Sequence, residues 1–287
     1  MAEAKLPEEI IREIVRHIIP PFSAKTFLKF PEQDTPYWKE ERPGALQTGS
    51  TNILLISKRW LRIAAPMLYT GVALRKSKHT STLARLVKTD PAVARAIRYL
   101  RLEGGSMSRE LSTLLRYATN IHTLYVTAHL RSGESLEGLR RAAHLVHPTT
   151  LYIHFAPNER HSYWSTENGE ETVLRVIVGL WTAVTEIHFS AFTTTREWTN
   201  LLMDLPALRE IHMPTSVHLH PWFERYEWER GEESTSTMLE KFAEKPGFEQ
   251  VVMHGREPRA LTRVEDALKQ PKLNRVAKFV SIVEESD

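Results

Sequence analysis

The chain contains no cysteine, and this absence removes several kinds of chemistry at once. Disulfides, thiolate zinc sites, iron–sulfur clusters and a cysteine nucleophile are all excluded. No Asn-x-Ser/Thr sequon occurs, and the first residues lack the charged and apolar regions of a signal peptide. No apolar run reaches the length of about 18 residues that a membrane span needs. These absences predict an intracellular protein of the cytoplasm or nucleus that makes no membrane contact.

Motifs that carry chemistry are also missing from the sequence. It has no H-E-x-x-H, G-x-S-x-G, Walker or EF-hand spacing. His218 and His220 form an H-x-H pair, but no third ligand lies at a spacing that a metal requires. We therefore expect no catalytic residue, no cofactor and no metal site, and predict that the protein is not an enzyme.

Composition and charge are those of an ordinary globular protein. Of 287 residues, 41% are hydrophobic and 25% are charged, with a net charge of +3. Residues 1–104 carry 18 basic and 10 acidic side chains, and residues 105–287 carry 20 and 25, so the first part is basic. Because no aromatic-basic motif accompanies this excess, we expect no nucleic-acid binding.

The stretch LPEEIIREIVRHII, residues 6–19, predicts an amphipathic helix. Pro7 suits a first turn, and the Glu pair that follows suits the positive end of the helix dipole. At about 100° per residue, the apolar side chains between Ile10 and Ile19 cover close to half of the circumference. One part of that face can pack on its own domain while another part remains for a partner, although a purely structural role is equally compatible with the pattern.

A second helical stretch is predicted over residues 52–69, NILLISKRWLRIAAPMLY. Its apolar residues recur at helical spacing, and Lys58, Arg59 and Arg62 lie on the opposite side. Pro66 is expected to kink or end the helix. A short coil or strand follows.

These two stretches, with LARLVKTDPAVARAIRYLRLEG after them, resemble the F-box-like proteins that are abundant in mushroom-forming fungi. The resemblance covers residues 5–104 and is carried by Leu6-Pro7, by SKRW at 57–60 and by APMLY at 65–69. It implies a small helical F-box-like module that docks the adaptor subunit of SCF-type cullin–RING ubiquitin ligases. The implied adaptor-binding residues are Leu6, Pro7, Ile10, Ile11, Ile14, Ile18, Leu55 and Trp60.

Residues 20–49 depart from that family, in which the two helical stretches lie close together. This segment holds five of the sixteen prolines, which predicts an inserted irregular loop at the surface. Its five aromatic residues suggest that it packs against the protein, where it could cover the docking face. We accordingly divide the chain into a module at 1–75, with the insertion at 20–49, and a second region at 76–287.

Beyond residue 96 one five-part pattern recurs. It consists of an apolar residue, two residues of any kind, a second apolar residue, one residue of any kind and a third apolar residue. Its middle positions are 100, 124, 151, 187, 211, 251 and 280, and helical stretches lie between the copies. Units of this length predict an α/β fold, an irregular leucine-rich-repeat-like solenoid with parallel strands. The alternative, a doubly wound sheet, would favour a Gly-rich phosphate loop that LRLEGGSMSRE lacks. The predicted helices lie at 108–118, 134–146, 170–181, 196–205, 236–245 and 262–270.

In each predicted strand the residue between the last two apolar positions points to the open face. We predict a target-binding band there, together with aromatic residues of an inserted loop at 214–235. An ordinary polar strand face remains the alternative. The candidate target-binding residues are Arg101, Tyr125, Tyr152, His188, His212, Trp222 and Trp228.

The sequence thus predicts a substrate-recognition subunit of an SCF-type ligase. The N-terminal helices would bind the adaptor of the cullin complex, and the repeats would bind a target protein whose identity the sequence does not give. The alternative is a stand-alone repeat scaffold whose F-box remnant no longer docks.

Overall fold

A computed structural model of the chain shows an α/β fold of helices and parallel strands. It describes residues 6–19, 22–29, 56–103, 109–127, 136–154, 169–190, 196–214, 235–255, 258–269 and 273–284. Two compact units are present. The first comprises Met1–Tyr125 and Ser132–Val146, and the second comprises Val126–Arg131 and His147–Asp287. The boundary predicted at residue 75 therefore falls inside the first unit.

The first unit begins with two helices that pack on each other, α1 (Glu8–Ile18) and α3 (Lys58–Leu68), with a short helix α2 (Ala24–Leu28) between them in sequence. Their contact forms an apolar cluster. Four further helices follow, α4 (Ser77–Thr89), α5 (Pro91–Ala96), α6 (Glu110–Tyr117) and α7 (Glu137–Ala142), and a 3₁₀ turn at Ala143–Leu145 extends α7. The cluster between α1 and α3 consists of Ile11, Val15, Ile19, Trp60, Ile63 and Ala64.

Helix boundaries follow local chemistry. Ser57 caps α3 by accepting a hydrogen bond from the backbone N–H of Trp60. Asp90 caps α5 through the N–H groups of the second and third helical residues, with Pro91 at the first position. Pro66 does not end α3 at once, and the helix continues to Leu68. Proline lacks a backbone N–H, so near the last turn only one helical hydrogen bond is lost.

Parallel strands β1 (Gly71–Leu74) and β2 (Tyr99–Leu102) lie in the first unit, which also holds the start of β3 (Thr123–Thr127). Leu74 lies opposite Leu102, and both are buried. The pattern that places Leu100 and Leu124 in the core is confirmed, since both side chains are fully buried.

The insertion at 20–49 is described only at residues 22–29, and there it is not irregular. Ser23 caps α2 by accepting from the Thr26 N–H, and no proline interrupts this stretch. The ring of Phe22 lies 4.8 Å from that of Tyr99 on β2. Gly71 permits this packing, because a Cβ at that position would collide with the Phe22 ring. The expectation that aromatic residues of the insertion pack against the protein is confirmed for this ring, and residues 30–49 lie outside the described part.

The second unit contains strands β4 (Thr150–His154), β5 (Glu186–Phe189), β6 (Glu210–Pro214), β7 (Gln250–Gly255) and β8 (Val280–Glu284). They pair in parallel, in the order in which they occur in the chain. Ile187, Ile211 and Val251 lie in register on neighbouring strands and are buried. The core therefore lies on this face of the strands, as the repeat pattern predicts.

Among the described residues, five helices of this unit alternate with its strands. Four of them lie close to the predicted positions, and the fifth, at 274–277, was not predicted. The prediction at 262–270 is misplaced by about four residues at its start, because the helix begins at Pro258. None of the helices formed by described residues is long and apolar enough to cross a membrane. The helices are α8 (Gly169–Gly179), α9 (Arg196–Asp204), α10 (Thr235–Glu244), α11 (Pro258–Leu268) and α12 (Asn274–Ala277).

Candidate functional site

The apolar face of α1 is divided between the core and the surface. Ile11 and Val15 are fully buried, whereas Ile10 is 47% exposed and Ile18 is 46% exposed. This is the division that the wide apolar face predicts. Around the helix axis residue 10 is about 100° from residue 11 and about 140° from residue 15, which places Ile10 at the edge of the apolar face, away from the core. Ile18 is only about 20° from residue 11 around the axis, and it is exposed at the last residue of α1.

Three other exposed apolar side chains lie nearby in the chain. Leu6 precedes α1, Ile56 precedes α3 and Leu61 lies on α3. Their exposed fractions range from 37% to 53%. We call the set the exposed apolar surface, and it consists of Leu6, Ile10, Ile18, Ile56 and Leu61. Ile56 and Leu61 are not among the residues predicted from the sequence, although both lie in the predicted second helical stretch.

Several predicted adaptor-binding residues belong to the interior. Ile11 and Trp60 are buried in the cluster between α1 and α3, and Ile14 is partly buried against it. Their side chains are not available to a partner, which corrects the prediction for Ile11 and Trp60. Pro7 is exposed and forms the N-cap of α1. Leu55 lies outside the described residues.

Charged groups tie α1 to α3 beside this surface. The Glu8 carboxylate pairs with the guanidinium of Arg62, and Arg59 Nε lies 3.9 Å from the same oxygen. These groups are partly exposed, so each pair contributes at most about 1 kcal/mol. The contacts add to the apolar cluster that packs α1 on α3.

The polar face of the second unit carries a row of stacked rings, which we call the ring stack: Tyr152, His188, His212 and His254. Tyr152 and His188 lie opposite each other on β4 and β5, with ring centroids 4.0 Å apart. His188 and His212 are stacked at 3.8 Å, and His212 and His254 at 5.1 Å. The structure thus brings together three of the predicted band residues, all of them partly exposed.

Two carboxylates lie beside the ring stack. Glu186 Oε1 accepts a hydrogen bond from His188 Nε2 at 2.6 Å and lies 3.3 Å from His212 Nε2. Glu210 Oε1 lies 3.1 Å from the same nitrogen of His212. Burial lowers the pKa of His188 to about 4, against the opposing effect of Glu186. Hydrogen bonds from His188 and His212 hold the pKa of the Glu186 carboxyl well below its usual range. At neutral pH the cluster therefore pairs an ionised carboxylate with a neutral imidazole.

Two residues of the predicted band are not on an open face. Arg101 is 2% exposed and Tyr125 is fully buried, so the prediction that they bind a target at the surface is wrong. The strand phase itself is right, because Leu100 and Leu124 point to the opposite side, into the core. The open face of β2 is covered in the first unit by residues 22–29.

A network of hydrogen bonds holds this cover in place. Arg101 Nη1 donates to the carbonyl oxygens of Phe27 at 2.5 Å and Lys29 at 3.1 Å. Its Nε pairs with the buried Glu103 carboxylate, which also accepts from Arg75 Nε at 2.8 Å. The Arg101 guanidinium carbon lies 3.8 Å from the centre of the Tyr125 ring. These contacts make Arg101 a structural residue of the first unit.

Sequence reasoning missed Glu186, Glu210 and the contact of His254 with the stack. A signal was present, since the tripeptide Glu-Ile-His occurs at 186–188 and again at 210–212. The interval of 24 residues equals one step of the repeat, so the two copies lie side by side in register. Trp222 and Trp228 lie outside the described residues.

Comparison with known proteins leaves the chain without an assigned family. No protein-family model matches the sequence, and no curated protein matches it. The resemblance to the F-box-like proteins therefore rests on the residues quoted above.

Proposed function

We propose that the protein is a non-catalytic substrate-recognition subunit of an SCF-type cullin–RING ubiquitin ligase. The N-terminal helices would bind the adaptor subunit, and the strand face of the second unit would bind a target protein. The protein would act in the cytoplasm or nucleus. Its contribution to ubiquitin transfer would be proximity, since it brings the target close to the charged ubiquitin enzyme.

The observation that carries this proposal is the divided apolar face of α1. Single exposed apolar residues are common and need no explanation. Here five of them lie on or next to two helices that are packed together by other apolar residues. Because these side chains are 37–53% exposed, complete coverage in an interface would contribute about half of the value for a fully exposed side chain, roughly 0.7–1.5 kcal/mol each. The helices α1 and α3 are the ones that carry the F-box-like sequence features.

The repeat interpretation is supported by the strand order of the second unit. Strands β4 to β8 pair in parallel, in the order in which they occur in the chain. The described part of each connection contains one helix, except that the last connection contains two. A doubly wound sheet instead reverses its strand order at a switch point. We therefore interpret this region as an irregular leucine-rich-repeat-like solenoid, although it lacks a regular asparagine position.

The proposed target face is narrower than the band predicted from the sequence. Arg101 and Tyr125 are buried and drop out, while Tyr152, His188 and His212 remain partly exposed on neighbouring strands. Aromatic and histidine side chains held by stacking present a rigid surface, which lowers the entropic cost of binding. Of these, Tyr152 is the residue whose truncation changes the face and leaves both imidazoles beside Glu186 in place.

Co-expression with a fungal adaptor and cullin tests the proposal. Capture of the tagged chain should recover both partners, and Tyr152→Ala should keep them while it loses proteins that the wild-type chain captures. Failure to recover the adaptor would contradict the ligase function and favour the stand-alone scaffold. Recovery of the adaptor with an unchanged set of captured proteins would exclude Tyr152 from the target face.

A further inference from the structure

The two copies of Glu-Ile-His on β5 and β6 place three metal-ligand side chains at one point of the second unit. We propose that Glu186, His188 and His212 bind one divalent transition-metal ion, and that Zn²⁺ is the ion that fits best. The site is independent of the proposed ligase function, because it rests only on the geometry of neighbouring strands.

The ligand atoms already lie close together. Glu186 Oε1 is 2.6 Å from His188 Nε2 and 3.3 Å from His212 Nε2. One ligand atom from each of the three residues lies within 4.8 Å of the other two. Zn²⁺ binds nitrogen and oxygen at 2.0–2.2 Å, so tetrahedral ligands are about 3.4 Å apart. The distances between the ligand atoms therefore need to change by roughly an ångström. The backbone register already brings the three side chains together, and the imidazole rings must turn to direct their nitrogens at one ion.

Neighbouring groups orient the ligands in the way that metal sites require. His212 Nδ1 is hydrogen-bonded to His254 Nε2 at 2.8 Å, which leaves Nε2 directed at the carboxylates. Thr150 Oγ1 donates to Glu186 Oε2 at 3.3 Å, which leaves Oε1 facing the imidazoles. His212 Nδ1 and Glu186 Oε2 thus both have a hydrogen-bond partner, and the other ligand atom of each residue remains for the ion.

The charge of the cluster favours a cation. Glu186 and Glu210 lie directly opposite each other on adjacent strands, where two like charges destabilise a sheet. Glu210 is held by Gln250 Nε2 at 2.6 Å, so it stays beside His212 and adds negative charge next to the ligands. A divalent ion would relieve this repulsion more effectively than the hydrogen bonds alone.

Binding would change the ring stack. A metal lies in the plane of each imidazole that it binds, whereas the rings of His188 and His212 are nearly parallel, at 16°, and 3.8 Å apart. The rings must therefore turn about their side-chain bonds until both Nε2 atoms point at one ion. The proton between His188 Nε2 and Glu186 moves to Nδ1, and the ion takes its place.

The donor set selects the metal. Two imidazoles and one carboxylate suit borderline ions such as Zn²⁺, whereas Mg²⁺ and Ca²⁺ prefer oxygen ligands alone. The same set also occurs with ferrous iron, so the titration includes Fe²⁺ as a competitor. Three protein ligands leave a fourth position for water or for a group supplied by a bound molecule.

Calorimetric titration of the full chain with Zn²⁺, after treatment with a chelator, tests the site. We expect one equivalent to bind, and we expect Glu186→Gln, His188→Gln and His212→Gln each to weaken that binding at least tenfold. His147→Gln is the matched control, because His147 is an exposed histidine of the same unit and should leave the affinity unchanged. Far-UV circular dichroism verifies that each variant is folded.

Cobalt provides a second readout that does not depend on affinity. Co²⁺ in the wild-type site should give the visible absorption of a four- or five-coordinate ion, and the glutamine variants should lose it. Retention of Zn²⁺ binding by the Glu186→Gln/His188→Gln/His212→Gln variant would show that the ion binds elsewhere and would overturn the proposal. Absence of Zn²⁺ binding to the wild type would overturn the proposal. Tighter binding of Fe²⁺ than of Zn²⁺ would overturn the assignment of the metal.

Discussion

Nη1 of Arg101 on β2 lies 2.5 Å from the carbonyl oxygen of Phe27, a residue 74 positions earlier in the chain. The same nitrogen also donates to the Lys29 carbonyl oxygen, and the guanidinium pairs with the buried carboxylate of Glu103. One arginine therefore joins the start of the inserted segment to the first strands. This relationship explains why part of the predicted binding band is in the interior.

Replacement of Arg101 by Met should destabilise the protein by roughly 3–5 kcal/mol, because removal of one partner of a buried ion pair leaves the other uncompensated. Glu103 is 1% exposed and would keep its ion pair with the partly exposed Arg75 but lose the buried guanidinium. The free energy of unfolding in urea measures the effect. Arg116→Met, at an exposed position, is the control and should change stability by less than about 0.5 kcal/mol. Equal effects of the two substitutions would show that the buried network contributes nothing.

Gly71→Ala should destabilise the protein by about 1–3 kcal/mol, because the added methyl group overlaps the ring of Phe22. Combination with Phe22→Ala should recover most of that loss, and a double-mutant cycle from thermal unfolding measures the coupling. Gly179→Ala is the control, since a Cβ there makes only an ordinary contact of 3.4 Å with Leu201. Strictly additive effects of Gly71→Ala and Phe22→Ala would contradict the packing of the segment on β1.

Tyr125→Ala should cost about 3–5 kcal/mol, as large aromatic truncations in a core do. Its ring is fully buried and lies against the Arg101 guanidinium. Tyr117→Ala removes the same atoms from a side chain that is 41% exposed and should cost much less. Chemical denaturation of both variants distinguishes a core residue from a surface residue. A loss below about 1 kcal/mol for Tyr125→Ala would restore the surface interpretation.

The strands and their phase could be predicted from the sequence, because burial on one face leaves a local pattern of period two. Ile187 and Ile211 are buried and His188 and His212 face the other way, as that pattern requires. The width of the apolar face of α1 likewise predicted a division between core and surface, but it did not show on which side each residue lies, and Ile11 was assigned to the wrong side.

The cover over Arg101 could not be predicted in the same way. It depends on hydrogen bonds to backbone carbonyls more than 70 residues away, and carbonyl acceptors carry no side-chain signal. The short helix in residues 24–28 depended on one capping serine within a proline-rich stretch, where proline density dominated the interpretation. The cluster at Glu186 required the register of two strands, which becomes visible only when the two Glu-Ile-His copies are aligned.

The metal-free protein should lose stability as the pH falls from about 6.5 to about 4. Burial lowers the pKa of His188 to about 4, so in this window the unfolded chain binds a proton that the folded chain does not. The contribution of the neutral His188 imidazole to the free energy of unfolding is fully present above the pKa that histidine has in the unfolded chain. Its loss on acidification approaches roughly 3 kcal/mol. Urea unfolding in the presence of a chelator measures it across the window.

His188→Gln is the matched variant for this pH dependence, because glutamine keeps a hydrogen-bond donor for Glu186 but does not titrate. Its stability should vary less with pH between 4 and 6.5 than that of the wild type. His144→Gln, which removes an exposed histidine, should retain the wild-type slope. If the free energy of unfolding of His188→Gln depends on pH as steeply as that of the wild type, the His188 imidazole is not the group whose protonation destabilises the fold.

The affinity of the purified chain for the ligase adaptor tests the central claim most directly. The wild type should bind, and Ile10→Asp/Ile18→Asp should lose at least a hundredfold in affinity, because an unpaired carboxylate in an apolar interface costs several kcal/mol. Both positions are exposed, so the variant should stay folded, and Val176→Asp, at a residue of α8 that is 51% exposed, should bind as the wild type does. No measurable binding by the folded wild type, or equal affinity of the Ile10→Asp/Ile18→Asp variant, would contradict adaptor docking through this surface.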